Sequence, residues 1–387
     1  MKVFTLNCGS SSIKFQVVDP KKDEKILKGS LTRIPVHNSV LSINGNEIEV
    51  DVDEHSGGLD LILEKLEEKN ILEEINAVGH RVVHGGEKFK EPVIVTDEIL
   101  DELEKLSFLA PLHNPHNVKG IEICREKLPE IPDVAVFDTS FHQSMDEKAY
   151  LYGIPYRFYR DYSVRKYGFH GTSHRFVAKR TAKMMNKEIK DINIVTCHLG
   201  NGASVTAVKE GESMDTSMGF TPLEGLVMGT RSGDIDPAII PFIMEKEGIT
   251  SKEVEEILNK ESGLKGLSEG TSNFKELIEN AEKGDKKSER AINVFKYRLK
   301  KYIGAYSAAM NGIDAIAFTG GIGENAVELR RNILEDLEYL GFEIDYGKNK
   351  IRGEKMEITR KNSEKKAFVI PTDEELEIAK ETIKILR

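Results

Sequence analysis

The sequence predicts an α/β protein with more than one domain. Short runs of β-branched residues alternate with amphipathic helices along the chain, which is typical of α/β proteins rather than of segregated strands and helices. The length of 387 residues corresponds to two or three domains at about 150 residues each. A pattern of strand, small-residue turn and strand near the N-terminus also recurs about half a chain later; a duplicated unit would explain it, but on this pattern alone two ordinary β-hairpins are favoured.

Local periodicity predicts each element in turn. In the first expected helix, Leu59, Ile62 and Leu66 recur at helical spacing. A later helix has clear start signals, because Asn114 provides an N-cap and Pro115 occupies the first helical position. Strands are expected at residues 2–6, 14–19, 77–83, 134–137, 192–197, 204–208, 315–318 and 368–370. Helices are expected at residues 59–69, 97–106, 115–127, 175–185, 252–259, 274–281, 288–310, 326–339 and 374–385.

Composition excludes several classes of function. With 55 basic and 65 acidic residues the net charge is −10, which argues against binding to nucleic acid. The longest apolar run, between Pro237 and Met244, is far shorter than the roughly 18 residues of a membrane span, and the N-terminus lacks the apolar core of a signal peptide. Cys8, Cys124 and Cys197 are widely spaced, which fits the reducing cytoplasm and argues against structural zinc.

Two glycine- and serine-rich turns are candidates for binding phosphate. Residues 4–12 (FTLNCGSSS) and 194–204 (IVTCHLGNGAS) each place small residues between two expected strands. Such turns expose backbone N–H groups and hydroxyls, and two of them could hold a polyphosphate together, with Lys14 nearby. The chain has no P-loop motif, and two ordinary β-hairpins would give the same pattern, so this remains a hypothesis at this point.

A third glycine cluster permits a different interpretation. Gly321, Gly323 and Ala326 satisfy G-x-G-x-x-A after an apolar run, and Asp345 follows about 20 residues later, as in dinucleotide-binding folds. An NAD-dependent oxidoreductase is therefore an alternative. Too little chain follows the motif to complete such a fold, and the two earlier turns would have no role.

Four further side chains lie in settings that favour catalysis. Asp138 follows a buried strand, where chemistry is common in open α/β sheets. His170 lies in a glycine-flanked loop, YGFHGT, where an imidazole can donate to an anion. Arg81 and Arg231 each lie among glycines, and guanidinium groups match carboxylate and phosphate oxygens during phosphoryl transfer. Most other histidines are expected to be structural, since their spacing does not suit a metal site.

Together these stretches resemble the acetate kinase family over the whole length of the chain. That family belongs to the actin-like ATPase and sugar-kinase superfamily. The resemblance implies two duplicated actin-like (ribonuclease H-like) domains with an active-site cleft between them, at residues 1–142 plus 376–387 and at 143–375. The matching stretches are residues 7–14 (NCGSSSIK), 79–86, 110–115, 137–142, 167–174, 197–204, 217–225, 229–237, 320–326 and 371–376.

The resemblance also implies an activity and its residues. The reaction is reversible, in-line transfer of the γ-phosphoryl group of ATP to acetate, giving acetyl phosphate and ADP, with Mg²⁺ or alternatively Mn²⁺. The enzyme is expected to be a cytoplasmic homodimer. The implied catalytic residues are Arg81, Asp138, His170 and Arg231; Arg81, Val83, Leu112, Phe169 and Pro222 would bind acetate, and Asn7 and Glu374 the metal. ATP would contact Ser10, Ser12, Lys14, His198, Leu199, Gly200, Asn201, Gly202, Asn273, Phe274, Lys275, Gly321, Ile322, Gly323, Glu324 and Asn325.

Simple chemistry qualifies the acid/base role that the resemblance assigns to Asp138. A carboxylate acceptor is already ionised at pH 7 and needs no base, so Asp138 is expected to orient a metal-bound water or to position Arg81. Two positions depart from the family pattern: Asn273-Phe274-Lys275 replaces Asp-Phe-Arg, and Asp215 stands where Glu is common. Other classes also remain, namely a propionate or other short-chain acyl kinase, a sugar kinase, and a non-enzymatic nucleotide-binding protein.

Overall fold

The computed structural model describes residues 1–34, 38–111 and 113–387, which divide into two compact units. Unit 1 comprises Met1–Gln143 together with Asp373–Arg387, and unit 2 comprises Ser144–Thr372. Each unit contains its own sheet with helices packed on it. The predicted α/β class is therefore confirmed.

Unit 1 contains a sheet of mixed direction. Among its described residues the strand order is β5-β4-β3-β2-β1-β6-β8-β7, with β6 parallel to both β1 and β8. The strands are β1 (Lys2–Gly9), β2 (Ser12–Asp19), β3 (Glu24–Thr32), β4 (Ser39–Ile43), β5 (Asn46–Val50), β6 (Ile75–Val82), β7 (Val93–Ile94) and β8 (Asp133–Phe137). The helices are α1 (His55–Glu68), α2 (Asp97–Lys105), α3 (Asn114–Lys127) and, from the end of the chain, α14 (Glu374–Ile385).

Helices cover both faces of this sheet, and β8 shows why. Val134 and Val136 pack with Ile378 of α14, whereas Ala135 and Phe137 belong to a cluster that includes residues of α2 and α3. Since alternate strand residues point to opposite faces, a strand buried on both faces needs an unbroken apolar run. The sequence VAVF meets that requirement.

The final helix returns to unit 1. Its N-cap is Asp373, whose side chain accepts a hydrogen bond from the backbone N–H of Leu376 at 3.1 Å. This cap makes Asp373 the first residue of the returning segment, three residues before the boundary expected from the sequence. Glu374 consequently belongs to unit 1. On β6, Gly79 allows the close approach of α14, because a Cβ there would lie 2.5 Å from Thr382 Oγ1.

Unit 2 contains a second sheet, ordered β11-β10-β9-β12-β14-β13 among its described residues. Helices α6 and α11 pack against it. The strands are β9 (Ile194–Leu199), β10 (Ala203–Lys209), β11 (Glu212–Thr216), β12 (Ala315–Thr319), β13 (Met356–Glu357) and β14 (Lys366–Val369). The helices are α4 (Glu147–Tyr150), α5 (Arg157–Tyr162), α6 (Gly171–Met185), α7 (Ile239–Glu247), α8 (Ser251–Lys260), α9 (Gly263–Ser268), α10 (Phe274–Glu282), α11 (Lys286–Ala309), α12 (Gly320–Asn325) and α13 (Val327–Glu335).

The two sheets share one topology. In each, three strands form antiparallel hairpins, and the first of them lies parallel to a fourth strand, which lies parallel to a fifth. The matching orders are β3-β2-β1-β6-β8 and β11-β10-β9-β12-β14, and each ends in a short antiparallel edge strand. The two small-residue turns therefore occupy equivalent positions, which supports a duplicated unit. The antiparallel hairpins also exclude the parallel sheet that a dinucleotide-binding fold requires.

The structure contains elements that the sequence did not predict. Strands β3 to β5 were not expected; β5 is an exposed edge strand whose two charged residues are both glutamates (NEIEV), whereas β3 buries Leu27 and Leu31 at alternate positions. The expected helix at 326–339 is shorter, ending at Glu335 as α13. None of the helices in the described parts of the chain has the length and apolar character needed to cross a membrane.

Candidate active site

A polar cluster lies at the ends of the central strands of unit 1. Arg81, near the end of β6, donates from Nε to Asp138 Oδ1 at 3.2 Å and from Nη2 to Asp138 Oδ2. Its Nη1 donates to Asn7 Oδ1 at 3.3 Å, and its Nε lies 3.7 Å from Glu374 Oε2. Asn7 lies on β1 and Asp138 follows β8, so neighbouring parallel strands bring these side chains to one edge. Glu374 joins them from the first turn of α14.

The charges in this cluster shift one another's pKa values. Burial lowers the pKa of Arg81, but the charges of Asp138 and Glu374 outweigh burial and raise it above its ordinary value. Burial raises the pKa of Glu374 to about 7, although Arg81 and Lys14 oppose the shift. Arg81 therefore stays charged, whereas Glu374 is close to its midpoint at neutral pH. An additional cation beside Glu374 would favour its ionised form.

Side chains of α3 hold the strand ends that carry this cluster. Asn117 donates to the carbonyl oxygen of Cys8 at 2.7 Å and accepts from the N–H of Val83 at 3.1 Å. Asn114 makes two hydrogen bonds, at 2.9 and 3.0 Å, with the backbone of His84. These buried amides satisfy backbone groups where β1 and β6 end. The prediction that Asn114 caps this helix was wrong: the N-cap of α3 is His113, and the side chain of Asn114 bonds to the backbone of His84 instead. Sequence reasoning missed Asn117.

The turn between β1 and β2 exposes its hydroxyls. Gly9 pairs with Ser12, so that Ser10 and Ser11 form the turn and are exposed. Lys14 is the cross-strand partner of Asn7, and its charge reaches Glu374. The turn thus lies beside the Arg81 cluster, with the residues expected to bind phosphate on the same hairpin as Asn7.

Unit 2 contains a set of histidines linked through one serine hydroxyl. Ser204 Oγ lies 2.9 Å from His170 Nδ1 and 2.7 Å from His174 Nε2, and the other nitrogen of His174 contacts Thr196 Oγ1 at 2.7 Å. His170 is the N-cap of α6, with φ of 57°, and its ring stacks on His198 at a centroid distance of 4.3 Å. His170, at the N-cap, and His174, in the first turn of α6, therefore converge on one hydroxyl. Their i, i+4 spacing was the sequence signal for this.

The second small-residue turn brings His170 and Arg231 together. A Cβ on Gly202 would lie 3.5 Å from the His170 ring and 3.5 Å from Arg231 Nη1, so both side chains border the same side of the turn. The backbone N–H of Gly229 donates to Asn201 O at 2.9 Å, which ties the loop of Arg231 to the turn. Arg231 is half-buried, and burial lowers its pKa.

The glycine cluster of α12 lies against the same turn. Gly320 has φ of 76°, and a Cβ there would lie 2.7 Å from the carbonyl oxygen of Leu199. The side chain of Glu324 accepts from the N–H of Gly320 at 2.9 Å, so it closes its own turn. Buried Arg330 donates to the carbonyl oxygens of Gly323 and Ile351, each at 2.8 Å, and holds the C-terminal part of α12 in place. Residues 198–202 and 320–325 are therefore neighbours in unit 2.

Comparison with known proteins identifies the family. The profile of the Acetokinase family matches residues 2–380. The chain is 54% identical to an acetate kinase of Halothermothrix orenii, and the match covers 100% of both sequences. The chain belongs to the acetokinase family.

Solved structures of family members have the same fold. The acetate kinase of Porphyromonas gingivalis matches with a TM-score of 0.95 at 42% identity, over 100% of both chains. A propionate kinase of Francisella tularensis matches with a TM-score of 0.93 at 42% identity, over 99% of both chains. The acetokinase fold thus extends over the whole chain.

Residues 273–275, which depart from the acetokinase pattern, make contacts mainly within and around α10. Asn273 is the N-cap of α10 and accepts from the N–H groups of Lys275 and Glu276 at 3.1 and 3.4 Å. The ring of Phe274 is buried and lies 5.3 Å from the ring of Phe295. Lys275 is exposed. The Nζ of Lys275 lies 3.8 Å from Glu279 Oε1, one turn further along α10.

The residues expected to contact the acetate methyl group are divided between the units. Val83 is buried in unit 1, and Phe169 is buried in unit 2. Pro222, also in unit 2, accepts a hydrogen bond from Arg231 Nη1 through its carbonyl oxygen at 3.3 Å. Leu112 lies outside the described residues. Val83 thus lies on the segment that follows Arg81 in unit 1, and Pro222 contacts Arg231 in unit 2.

The oxygen atoms around Arg81 suit a hard divalent cation. Asn7 and Glu374 contribute an amide oxygen and a carboxylate, both in contact with the same guanidinium. Mg²⁺ binds through one or two carboxylates, with waters and substrate phosphates completing its shell. The donor set therefore fits Mg²⁺ or Mn²⁺.

Proposed function

We propose that the protein transfers the γ-phosphoryl group of ATP to acetate, reversibly, giving acetyl phosphate and ADP. The observation that carries the proposal is the cluster of Arg81, Asp138, Asn7 and Glu374, which combines a carboxylate-binding guanidinium with oxygen ligands for a metal. Full-length similarity to acetate kinases supports acetate as the acceptor. The protein is accordingly a phosphotransferase with a carboxyl group as acceptor.

In this proposal Arg81 binds the acceptor carboxylate, and Asp138 positions Arg81. Both oxygens of Asp138 already accept hydrogen bonds from the guanidinium. Acetate is ionised at neutral pH, so no proton has to be removed before it attacks phosphorus. Val83, two residues along the chain, offers an apolar contact for the methyl group. Asp138 therefore acts on orientation rather than as a base.

We assign the transferring phosphoryl group to His170 and Arg231. Phosphoryl transfer needs little covalent participation by the protein and depends on positioning and on neutralising charge over the equatorial oxygens. Arg231 supplies a permanent positive charge, and His170 a ring N–H beside Gly202. The turn at residues 198–202 and the neighbouring residues 321–325 would bind the nucleotide.

Mg²⁺ is the expected cofactor, held by Asn7 and Glu374, with Mn²⁺ as a substitute. When bound, the metal would neutralise phosphate charge. Lys14 and the hydroxyls of Ser10 and Ser12 would contact phosphate oxygens from the same hairpin. Glu374→Gln should raise the Mg²⁺ concentration needed for half-maximal rate, because the amide removes the negative charge from this pair of ligands.

The deciding experiment traps acyl phosphate as its hydroxamate. The protein is incubated with ATP, Mg²⁺, acetate and hydroxylamine, and product requires an acyl kinase, since a sugar kinase forms none. Arg231→Lys should lower the rate by at least about tenfold because Lys cannot bind two oxygens bidentately. The matched control is Arg160→Lys, whose side chain is exposed and should leave the rate unchanged. No hydroxamate from the unaltered protein would refute the proposal.

A longer acceptor is the second candidate. The family member from Francisella tularensis is described as a propionate kinase and is as similar in sequence, at 42%, as the acetate kinase from Porphyromonas gingivalis. One methylene changes specificity by only about 1–3 kcal/mol. Rates with acetate, propionate and butyrate in the same assay distinguish the two, and acetate should have the highest kcat/KM.

We further propose that the protein is a cytoplasmic homodimer. Helix α7 has no buried residue although it begins Ile-Ile-Pro-Phe-Ile-Met, and Phe242 is 59% exposed. An apolar helix face of this kind is typical of a surface that a second copy covers. Light scattering should give twice the monomer mass, and Phe242→Asp should shift it toward monomer, whereas Lys283→Asp, at an exposed position outside α7, should not. The free, buried cysteines suit the reducing cytoplasm, where ATP is available.

A further inference from the structure

We propose that Tyr302 and Asp234 are positioning residues that hold the loop of Arg231 in its reactive geometry. The hydroxyl of Tyr302, on α11, donates to Asp234 Oδ2 at 2.6 Å. Neither residue was singled out by sequence reasoning. The inference rests on the proposed role of Arg231, and it deepens that role by identifying what fixes the arginine.

The carboxylate of Asp234 closes the loop of Arg231. Its Oδ1 accepts from the N–H of Gly225 at 2.8 Å, and its own N–H donates to the carbonyl oxygen of Gly225 at 3.0 Å. Residues 225–234 therefore form a loop whose two ends are joined by hydrogen bonds. Asp234 is the link between this closure, through Oδ1, and helix α11, through Oδ2.

The loop has little room to rearrange. A Cβ on Gly233 would lie 2.4 Å from the carbonyl oxygens of both Gly225 and Leu226, and Gly233 has φ of 68°. Within the loop, the N–H of Met228 donates to the carbonyl oxygen of Arg231 at 3.1 Å. Because Arg231 is three residues from Asp234 in this tight turn, a displacement of Asp234 would be transmitted to the guanidinium.

Helix α11 provides a rigid support. It spans 24 residues, and Phe295, Leu299 and Ile303 are completely buried along it. A side chain on a long, packed helix is held more accurately than one on a loop. Through its hydrogen bond to Asp234, Tyr302 thus anchors the Arg231 loop to α11, which is packed in the core of unit 2.

A second set of contacts acts on the same loop from its other side. Glu224, which precedes Gly225, accepts a hydrogen bond from the hydroxyl of Tyr152 and lies 3.0 Å from Lys166 Nζ. These contacts fix the entry to the loop, whereas Asp234 and Tyr302 fix its exit. Loss of the Tyr302 hydroxyl should therefore loosen the exit and leave the entry in place.

Helix α11 also offers a matched control. Tyr306 lies one turn after Tyr302, their ring centroids are 5.6 Å apart, and no described residue is within hydrogen-bond distance of its buried hydroxyl. Tyr302→Phe and Tyr306→Phe delete the same atom from the same helix. Only the first deletes a donor to Asp234.

The test compares the two variants in the hydroxamate assay and by amide hydrogen exchange. Tyr302→Phe should lower kcat by at least about tenfold, because a displaced catalytic group costs rate steeply, while Tyr306→Phe stays within about twofold of the unaltered protein. Amides within residues 225–234 should exchange faster in Tyr302→Phe, and amides of the β1–β2 hairpin should not. Equal rates and equal exchange in the two variants would overturn the inference.

A double-mutant cycle separates positioning from a general loss of structure. If Tyr302 acts through Arg231, adding Tyr302→Phe to Arg231→Lys should lower kcat by less than about twofold, because the geometry to be protected is already lost. A purely structural effect would multiply with that of Arg231→Lys and would contradict the inference.

Failure of the proposed function gives a different result. In that case the unaltered protein makes no hydroxamate, yet hydrogen exchange in residues 225–234 still reports whether Tyr302 holds the loop. Faster exchange in Tyr302→Phe alone supports the positioning role independently of the reaction, and unchanged exchange rejects it.

Discussion

Replacement of Asp138 by Asn tests how unit 1 prepares its arginine. Both carboxylate oxygens of Asp138 accept from the Arg81 guanidinium, one of them at 3.2 Å from Nε. An amide retains one acceptor but turns an NH₂ donor toward the guanidinium donors. Arg81 therefore loses one hydrogen bond and its main counter-charge, and we expect weaker, less oriented binding of acetate.

The size of the effect follows from burial. Removing one partner of a buried ion pair costs about 3–5 kcal/mol. The side chain of Arg81 is 17% exposed and Glu374 remains 3.7 Å away, so part of that cost is relieved. A loss of about 2–3 kcal/mol remains, which corresponds to a fall in kcat/KM of about 30- to 140-fold at about 1.4 kcal/mol per factor of ten.

The assay is hydroxamate formation over a grid of acetate and Mg²⁺ concentrations. We expect the KM for acetate to rise while the Mg²⁺ requirement changes little. Asp133→Asn is the matched control. Asp133 is also buried, but it lies at the start of β8 and pairs with His80 at 2.6 Å, so the substitution should leave the kinetics near those of the unaltered protein. Recovery of Asp138→Asn by raised Mg²⁺ would refute this reasoning and assign Asp138 to the metal.

Two further predictions concern stability in unit 1. Gly79→Ala should destabilise the fold by about 1–3 kcal/mol, because its Cβ would lie 2.5 Å from Thr382 Oγ1 and push α14 away. The control Gly153→Ala places its Cβ in open space and should not change stability. Equal urea midpoints for the two variants would contradict the prediction. Burial lowers the pKa of His84 to about 3. Below about pH 6.5 this imidazole therefore binds a proton in the unfolded chain but stays neutral in the folded protein. Stability is therefore lost as pH falls from 6.5 toward 3, by up to about 1.4 kcal/mol per unit. His84→Asn should show a smaller difference between urea midpoints at pH 7 and pH 5 than the unaltered protein; an equal difference would assign the acid sensitivity to other groups.

Local patterns in the sequence were sufficient to predict the strands and turns that carry the candidate site residues. The apolar run VAVF placed Asp138 after a buried strand, and the small-residue turns at residues 9–12 and 199–203 were expected between paired strands. These features are local: strand burial and turn formation depend on residues adjacent in the chain. The edge strand β5 was missed because its exposed, charged residues carry little apolar periodicity.

Contacts between distant residues were beyond the reach of these patterns. Glu374 was assigned to the metal by resemblance alone, and nothing near it in sequence indicated that the first turn of α14 meets Arg81. The hydroxyl of Ser204, shared by His170 and His174, was likewise not expected. Such contacts form only when whole elements pack together, for example where Gly79 allows α14 to lie close to β6. The chemistry of a single residue does not predict them.

The sequence by itself determined the α/β class, the family and the residue types that the reaction needs, because each depends on motifs that are contiguous in the chain. Only the tertiary structure decided how those residues are held. It paired Asp138 with Arg81 through two hydrogen bonds, and it set Tyr302 against Asp234 behind Arg231. The physical reason is that orientation of a charged side chain depends on buried partners from other elements, which come together only when the sheet and helices pack.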